Sequence, residues 1–152
     1  MRFLEHRIPP PLVGLVTAVL MWWASGMAAP HWAGGLQGAA VALLLVAGAS
    51  FDLAGLLSFR ASRTTVNPMR PEKASALVTG GVYRFTRNPM YVGMACLLTA
   101  WALVLPSWLS WLGPPGFVLY ITRFQILPEE RVLLGLFGDE YRAFMQRVRR
   151  WL

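Results

Sequence analysis

Charge is scarce in these 152 residues: Asp, Glu, Lys and Arg together make up 14% of the chain. What there is leans one way, with 14 Lys and Arg against 7 Asp and Glu. A nucleic-acid-binding face needs a broad basic stripe. These cations sit instead in clusters between apolar runs, so nucleic acid is not an expected partner. Cysteine is nearly absent. Cys96 stands alone, which rules out an internal disulfide, and its apolar surroundings make it a small core hydrophobe. His6 and His31 are the only histidines, far apart and without cysteines at ligand spacing. Neither a zinc site nor a histidine-based triad has the residues it needs, and no metal is expected.

What the chain has in abundance is apolar surface: 56% of its residues are hydrophobic, and the mean hydropathy is +0.49. That composition defines an all-α integral membrane protein, and the length suits a single domain over residues 1–152. Four apolar stretches, at about residues 12–29, 36–59, 89–105 and 109–127, each approach the roughly 20 residues that a bilayer crossing needs. Arg2 and Arg7 before the first stretch mimic a signal peptide. The stretch is long, holds Trp22 and Trp23, and ends in a poor cleavage site at Ala28-Ala29-Pro30, so it is expected to be a retained helix. The connections at 30–35 and 106–110 contain no Lys or Arg and are bordered by Trp32, Trp101, Trp108 and Trp111. The N-terminus, the loop at 60–88 and the tail at 128–152 carry the cations. With an even number of crossings, the positive-inside rule places both termini and the middle loop in the cytoplasm, in what is expected to be a bacterial inner membrane.

Within the second stretch, Gly38, Ala42 and Ala49 are small residues spaced for close helix approach. Asp52 lies in its cytoplasmic half. An ionisable group at that depth either reaches water or an Arg, or belongs to a site. Gly113-Pro114-Pro115-Gly116 must kink the fourth helix or delay its start.

Polar chemistry concentrates in two places. Residues 77–93, LVTGGVYRFTRNPMYVG, set a turn with ring faces (Tyr83, Phe85) and cations (Arg84, Arg87) against the mouth of an apolar helix. Asn88 is a favoured cap there, and Pro89 suits the first helical position. Arg and Tyr flanking a membrane helix are also ordinary interfacial anchors. The second place is the tail. From Pro128 it places Leu133, Leu136, Phe137, Tyr141, Phe144, Val148 and Trp151 at intervals of three and four. Gly138-Asp139 reads as a C-cap followed by a new N-cap, so two amphipathic helices are expected, their Arg-rich face on an anionic leaflet. Glu129 and Glu130 follow the last crossing, with Arg123 one to two turns before them, which suggests a polar cavity at the membrane edge.

In this order the two segments resemble the isoprenylcysteine carboxyl methyltransferase family and its phospholipid methyltransferase relatives. Arg87, Asn88, Pro89, Tyr91 and Gly93 match R-[HN]-P-x-Y-x-G. Glu129, Glu130, Leu133, Phe137, Gly138 and Tyr141 match E-E-x-x-L-x-x-x-F-G-x-x-Y. Thr64-Thr65-Val66-Asn67-Pro68 looks like the lead-in of small bacterial members. Asn88 replaces the His of eukaryotic enzymes, Phe144 stands where a second Tyr is common, and the chain is shorter than the eukaryotic forms. The resemblance implies binding of S-adenosylmethionine by Leu77, Val78, Tyr83, Arg87, Asn88, Pro89, Tyr91, Gly93, Glu129 and Glu130. It further implies Arg123 and Glu130 as catalytic residues, Arg123 orienting the acceptor and Glu130 taking a proton from an amine or hydroxyl. The acceptor would be a lipid-like or small amphiphilic molecule reached from the bilayer. A soluble methyltransferase, built on a Gly-rich loop after a strand, is excluded by the lack of such a segment. Two other readings stay open: an NADPH-dependent membrane reductase on a related architecture, and a non-catalytic membrane protein.

Overall fold

The structure, a computed structural model, describes residues 8–32, 34–61 and 76–152. The TTVNP stretch at 64–68 lies outside the described residues. Five α-helices account for most of the rest: α1 (Pro10–Ala24), α2 (Leu36–Ala61), α3 (Pro89–Val104), α4 (Gly113–Ile121) and α5 (Leu127–Arg147). No strand occurs among the described residues.

Local chemistry sets most of the boundaries. Proline sits in the first turn of α1, α3, α4 and α5, where its missing N–H costs nothing. The first helix ends at Ala24, earlier than the expected 29, because Gly26 (φ 72°) and Met27 (φ 56°) turn the chain into the left-handed region. The Gly113–Gly116 run delays the fourth helix instead of kinking it. A 3₁₀ turn over Trp108–Leu112 comes first, and α4 starts at Gly113. Between α4 and α5 the chain makes one π-helical turn, Thr122–Ile126, so the two form one continuous helical run. Gly138 (φ 49°, ψ −120°) breaks α5 where the Gly-Asp pair was expected to.

The second helix is the one described element both long and apolar enough to span a bilayer; α1 and α3 are apolar but shorter. It packs on α3 through Gly48, Gly55 and Gly93. A Cβ on Gly93 would run into Asp52 and would lie 2.8 Å from the Gly48 carbonyl oxygen. Asp52 is therefore a residue of the α2–α3 contact, with Oδ1 buried and lacking a hydrogen-bond partner. The main core joins α1, α3 and α4 through Val13, Met21, Leu98, Phe117 and Ile121. Trp101 Nε1 donates to the Ala18 carbonyl at 3.1 Å, linking α3 to α1. His31 N donates to Val104 O at 2.7 Å, and Ser110 Oγ to Met21 O at 3.3 Å. These bonds gather the two cation-free connections at one end of the bundle. Large apolar side chains such as Leu15, Trp23, Leu43, Val46 and Leu119 face outward around it.

At the other end a second cluster, Val78, Tyr83, Tyr141 and Phe144, fastens the segment before α3 to α5. The tail departs from the expected helical stripe here. The helix stops at Arg147, and Val148 is extended (φ −125°, ψ 132°). Trp151 folds back to the main core, its Nε1 donating to Thr122 Oγ1 at 3.1 Å. The reason is long-range capture of backbone groups: Arg87 N donates to Arg149 O at 3.0 Å, and Asn88 Nδ2 to Arg150 O at 2.9 Å. Those bonds give the carbonyls of residues 149 and 150 partners from a distant segment of the chain.

Candidate functional site

The site is assembled where the start of α3, the π turn, the start of α5 and the returning tail meet. Pro89 occupies the first turn of α3 as expected. Asn88 holds the N-cap position, but its side chain accepts no helix N–H; its amide serves the tail instead. Thr86, fully buried, accepts from Asn88 N at 3.2 Å and donates to Arg150 O at 3.2 Å.

Arg87 is buried, with only 8% of its side chain exposed. Its Nη1 lies 2.9 Å from Glu130 Oε1, a charge contact without hydrogen-bond geometry. Nε and Nη1 are thus buried donors with no hydrogen-bond acceptor. The Tyr141 hydroxyl also lies against Arg87. Glu130 is committed on both oxygens. Arg150 Nε donates to Oε1 at 2.9 Å and Arg150 Nη2 to Oε2 at 2.8 Å. This two-pronged grip is the strong form of the Arg–carboxylate pair.

Glu129 is in the opposite condition. It takes a hydrogen bond from Tyr91, whose hydroxyl is also bonded by Gln125 of the π turn, while its Oε2 is buried and unpartnered. Burial pushes the Glu129 carboxyl up to about 7; the bond from Tyr91 works against this, and the charge of Glu130 adds to it. Tyr83 lies near enough to feel the Glu129 charge, with its ring 5.6 Å from Phe59, edge to face. The sign of the linkage is fixed. The folded chain holds this proton more tightly than the unfolded chain, whose value is near 4.5, so stability is lost as pH rises from 4.5 to about 7. The loss is about 3 kcal/mol at 1.36 kcal/mol per unit. Unfolding in detergent at pH 5 and pH 8 should show this slope in the native chain and not in Glu129→Gln.

Of the residues expected at the site, Tyr83, Arg87, Asn88, Tyr91, Glu129 and Glu130 come together. Leu77 and Val78 pack in the cluster around Tyr83 and Tyr141, beside that group. Gly93 faces α2. Arg123 is exposed on the π turn, its guanidinium carbon 5.5 Å from the Phe124 ring centre. Four members were not anticipated: Thr86, Gln125, Tyr141 and Arg150. A glutamine inside an apolar stretch was a usable signal for Gln125, which is only 3% exposed. Tyr141 belongs to a quoted motif but was read as part of an apolar stripe. Among the described residues, no group of three or more His, Cys, Asp or Glu is placed to hold a metal ion.

Comparison with known proteins gives this arrangement a class. Over 79 residues the chain is 33% identical to protein-S-isoprenylcysteine O-methyltransferase of Schizosaccharomyces pombe, covering 50% of this chain and 32% of that protein. Over 67 residues it is 34% identical to methanethiol S-methyltransferase 1 of Bradyrhizobium diazoefficiens, covering 44% of this chain and 22% of that one. The chain therefore spans a third or less of the two named methyltransferases. It is also 51% identical over 63 residues to an uncharacterized protein of Haemophilus influenzae, covering 41% of this chain and all of that one. No solved structure matches. The family described as phospholipid methyltransferase matches residues 36–140, the greater part of the chain. The protein belongs to that family.

Proposed function

We propose that the protein is a membrane methyltransferase using S-adenosylmethionine, with four crossings and the site at the cytosolic interface. The observation that carries this reading is the pair of buried, unsatisfied groups of opposite charge, the Arg87 donors Nε and Nη1 and the Glu129 oxygen Oε2. Buried charged groups lacking hydrogen bonds are costly, and such exceptions call for a ligand or a role. A zwitterionic amino-acid end supplies what both lack: a carboxylate for Arg87 and an ammonium for Glu129. Tyr83 and Tyr91 stand nearby, with ring faces suited to a sulfonium or a nucleobase. S-adenosylmethionine brings those groups together with an electrophilic methyl on sulfur.

The chain's own contribution is placement. Arg87 and Glu129 fix one end of the donor, and alignment of acceptor, methyl and sulfur does most of what such a displacement needs. The named relatives are an O-methyltransferase and an S-methyltransferase, and an acceptor that is already ionised needs no strong base. For an amine or hydroxyl, Glu129 is the carboxylate with a free oxygen to accept the proton. Arg123, exposed at the same end of the fourth stretch, is positioned to meet an anionic headgroup arriving from the bilayer. Replacing it with Ala should lower turnover more than donor affinity.

Titration of the purified protein in detergent with S-adenosylhomocysteine and with NADPH tests the reading. Binding of the first alone supports it; binding of NADPH alone would replace it with a reductase. A finer expectation concerns protons. Pairing with an ammonium draws Glu129 into its ionised form, so at pH 6 binding should release close to one proton, and at pH 8.5 almost none. Calorimetry in buffers of different ionisation enthalpy reads that number directly. Glu129→Gln should abolish the release.

A further inference from the structure

We infer that the returning tail is a wall of the site and that Arg150 is a positioning residue, gripping both oxygens of Glu130 so that Glu130 anchors Arg87 and Glu129 alone faces the ligand. This rests on the donor-binding reading above and assigns the two adjacent glutamates different tasks.

The argument is one of hydrogen-bonding capacity. Glu130 is 5% exposed, and its oxygens receive Arg150 Nε, Arg150 Nη2 and the Arg87 charge contact. A carboxylate so occupied has little left to offer a ligand unless the triad opens. Its neighbour Glu129 has a whole oxygen without a partner. Two carboxylates side by side repel and share protons unless one is neutralised. Arg87 and Arg150, one from each side, do that for Glu130. Arg150 can reach it only because the chain leaves the helix after Arg147. Arg87 N, Thr86 Oγ1 and Asn88 Nδ2 hold the backbone of residues 149 and 150, and Trp151 is tied to Thr122 beyond. The tail's two carbonyls thus take up the polar groups of residues 86–88, leaving the Arg87 guanidinium as that segment's contribution to the ligand. Of the cations at the end of the chain, Arg147 and Arg149 are exposed, and Arg150 alone is drawn inward.

Facing the carboxylate pair are Tyr91 from α3, Tyr83 from the turn before it, Arg87, Tyr141 from α5 and Arg150 from the tail. With Arg150 gone, Glu130 keeps only Arg87, which is drawn toward it and away from the ligand. The test is binding of S-adenosylhomocysteine to Arg150→Ala at pH 8, beside 5′-methylthioadenosine, which lacks the amino-acid end, with folding followed by thermal unfolding. Expected are a loss of about tenfold in affinity for S-adenosylhomocysteine, the scale of one charged hydrogen bond, and little change for the truncated compound. Arg150→Lys keeps the charge but cannot grip two oxygens. It should restore only part of the affinity. It also serves as the deciding variant should Arg150→Ala not fold. Native affinity in folded Arg150→Ala, an equal loss for both compounds, or full native affinity in Arg150→Lys, would overturn the assignment. Failure of the unaltered chain to bind S-adenosylhomocysteine would instead overturn the donor reading.

Discussion

Arg87→Met should cost S-adenosylhomocysteine binding a factor of about 100 or more while leaving the protein folded. The side chain brings two buried donors, Nε and Nη1, that lack an acceptor and are offered here to the ligand's carboxylate. Charged hydrogen bonds of that kind are worth about 1.5–3 kcal/mol each. Methionine fills similar volume without a polar atom, and the partner it deprives of a hydrogen bond is the Tyr141 hydroxyl. Glu130 would remain neutralised by Arg150 at 2.8 and 2.9 Å, and that is why binding should suffer far more than folding. Arg87→Lys keeps the charge but loses the fixed, planar set of donors. It should fall between the two, and equilibrium binding beside a melting curve separates the effects. Native affinity in Arg87→Met would remove the carboxylate-holding role.

Gly93→Ala should be the most damaging single-methyl change to the fold, by about 3 kcal/mol or more. Overpacking a tight contact typically costs about 1–3 kcal/mol, and here a side chain and a backbone obstruct together. The added Cβ would meet Asp52 and would stand 2.8 Å from the Gly48 carbonyl oxygen, and backbone in a helix does not move aside cheaply. By contrast, Gly135→Ala on α5 meets nothing within 4 Å and has no unusual φ, so it should be neutral or mildly stabilising. A thermal shift comparing the two variants checks this. If Gly93→Ala melts with the native chain, the close α2–α3 contact is wrong. The motif glycine thus sets how closely α3 approaches α2.

The parts of the fold that could be read in advance are those set by local chemistry. Pro89 after Asn88 marks a helix start because proline is welcome only there, and Gly138-Asp139 marks a break because glycine tolerates φ 49°. The four apolar stretches were visible in composition, although α1 stops short. Gly26 inside an apolar run gives no sign that its backbone will turn left-handed. The π turn had no compositional signature either, since it is a choice of hydrogen-bond partner and not of residue type. At the site, the acidic pair and the Arg-Asn-Pro turn were legible as motifs, but their division of labour was not. Glu129 and Glu130 look alike in sequence, and so do Arg149 and Arg150. What distinguishes them is pairing across 20 to 64 residues of chain, to which a periodic pattern is blind.

The most direct test sets S-adenosylhomocysteine against 5′-methylthioadenosine, which has the nucleoside and the sulfur but no amino-acid end. If Arg87 and Glu129 grip that end, the truncated compound should bind the purified protein about 100-fold more weakly, the worth of two charged contacts. The deficit should vanish in Arg87→Met/Glu129→Gln, where both compounds bind poorly. Equal affinity of the two compounds for the native protein would contradict the account at its centre.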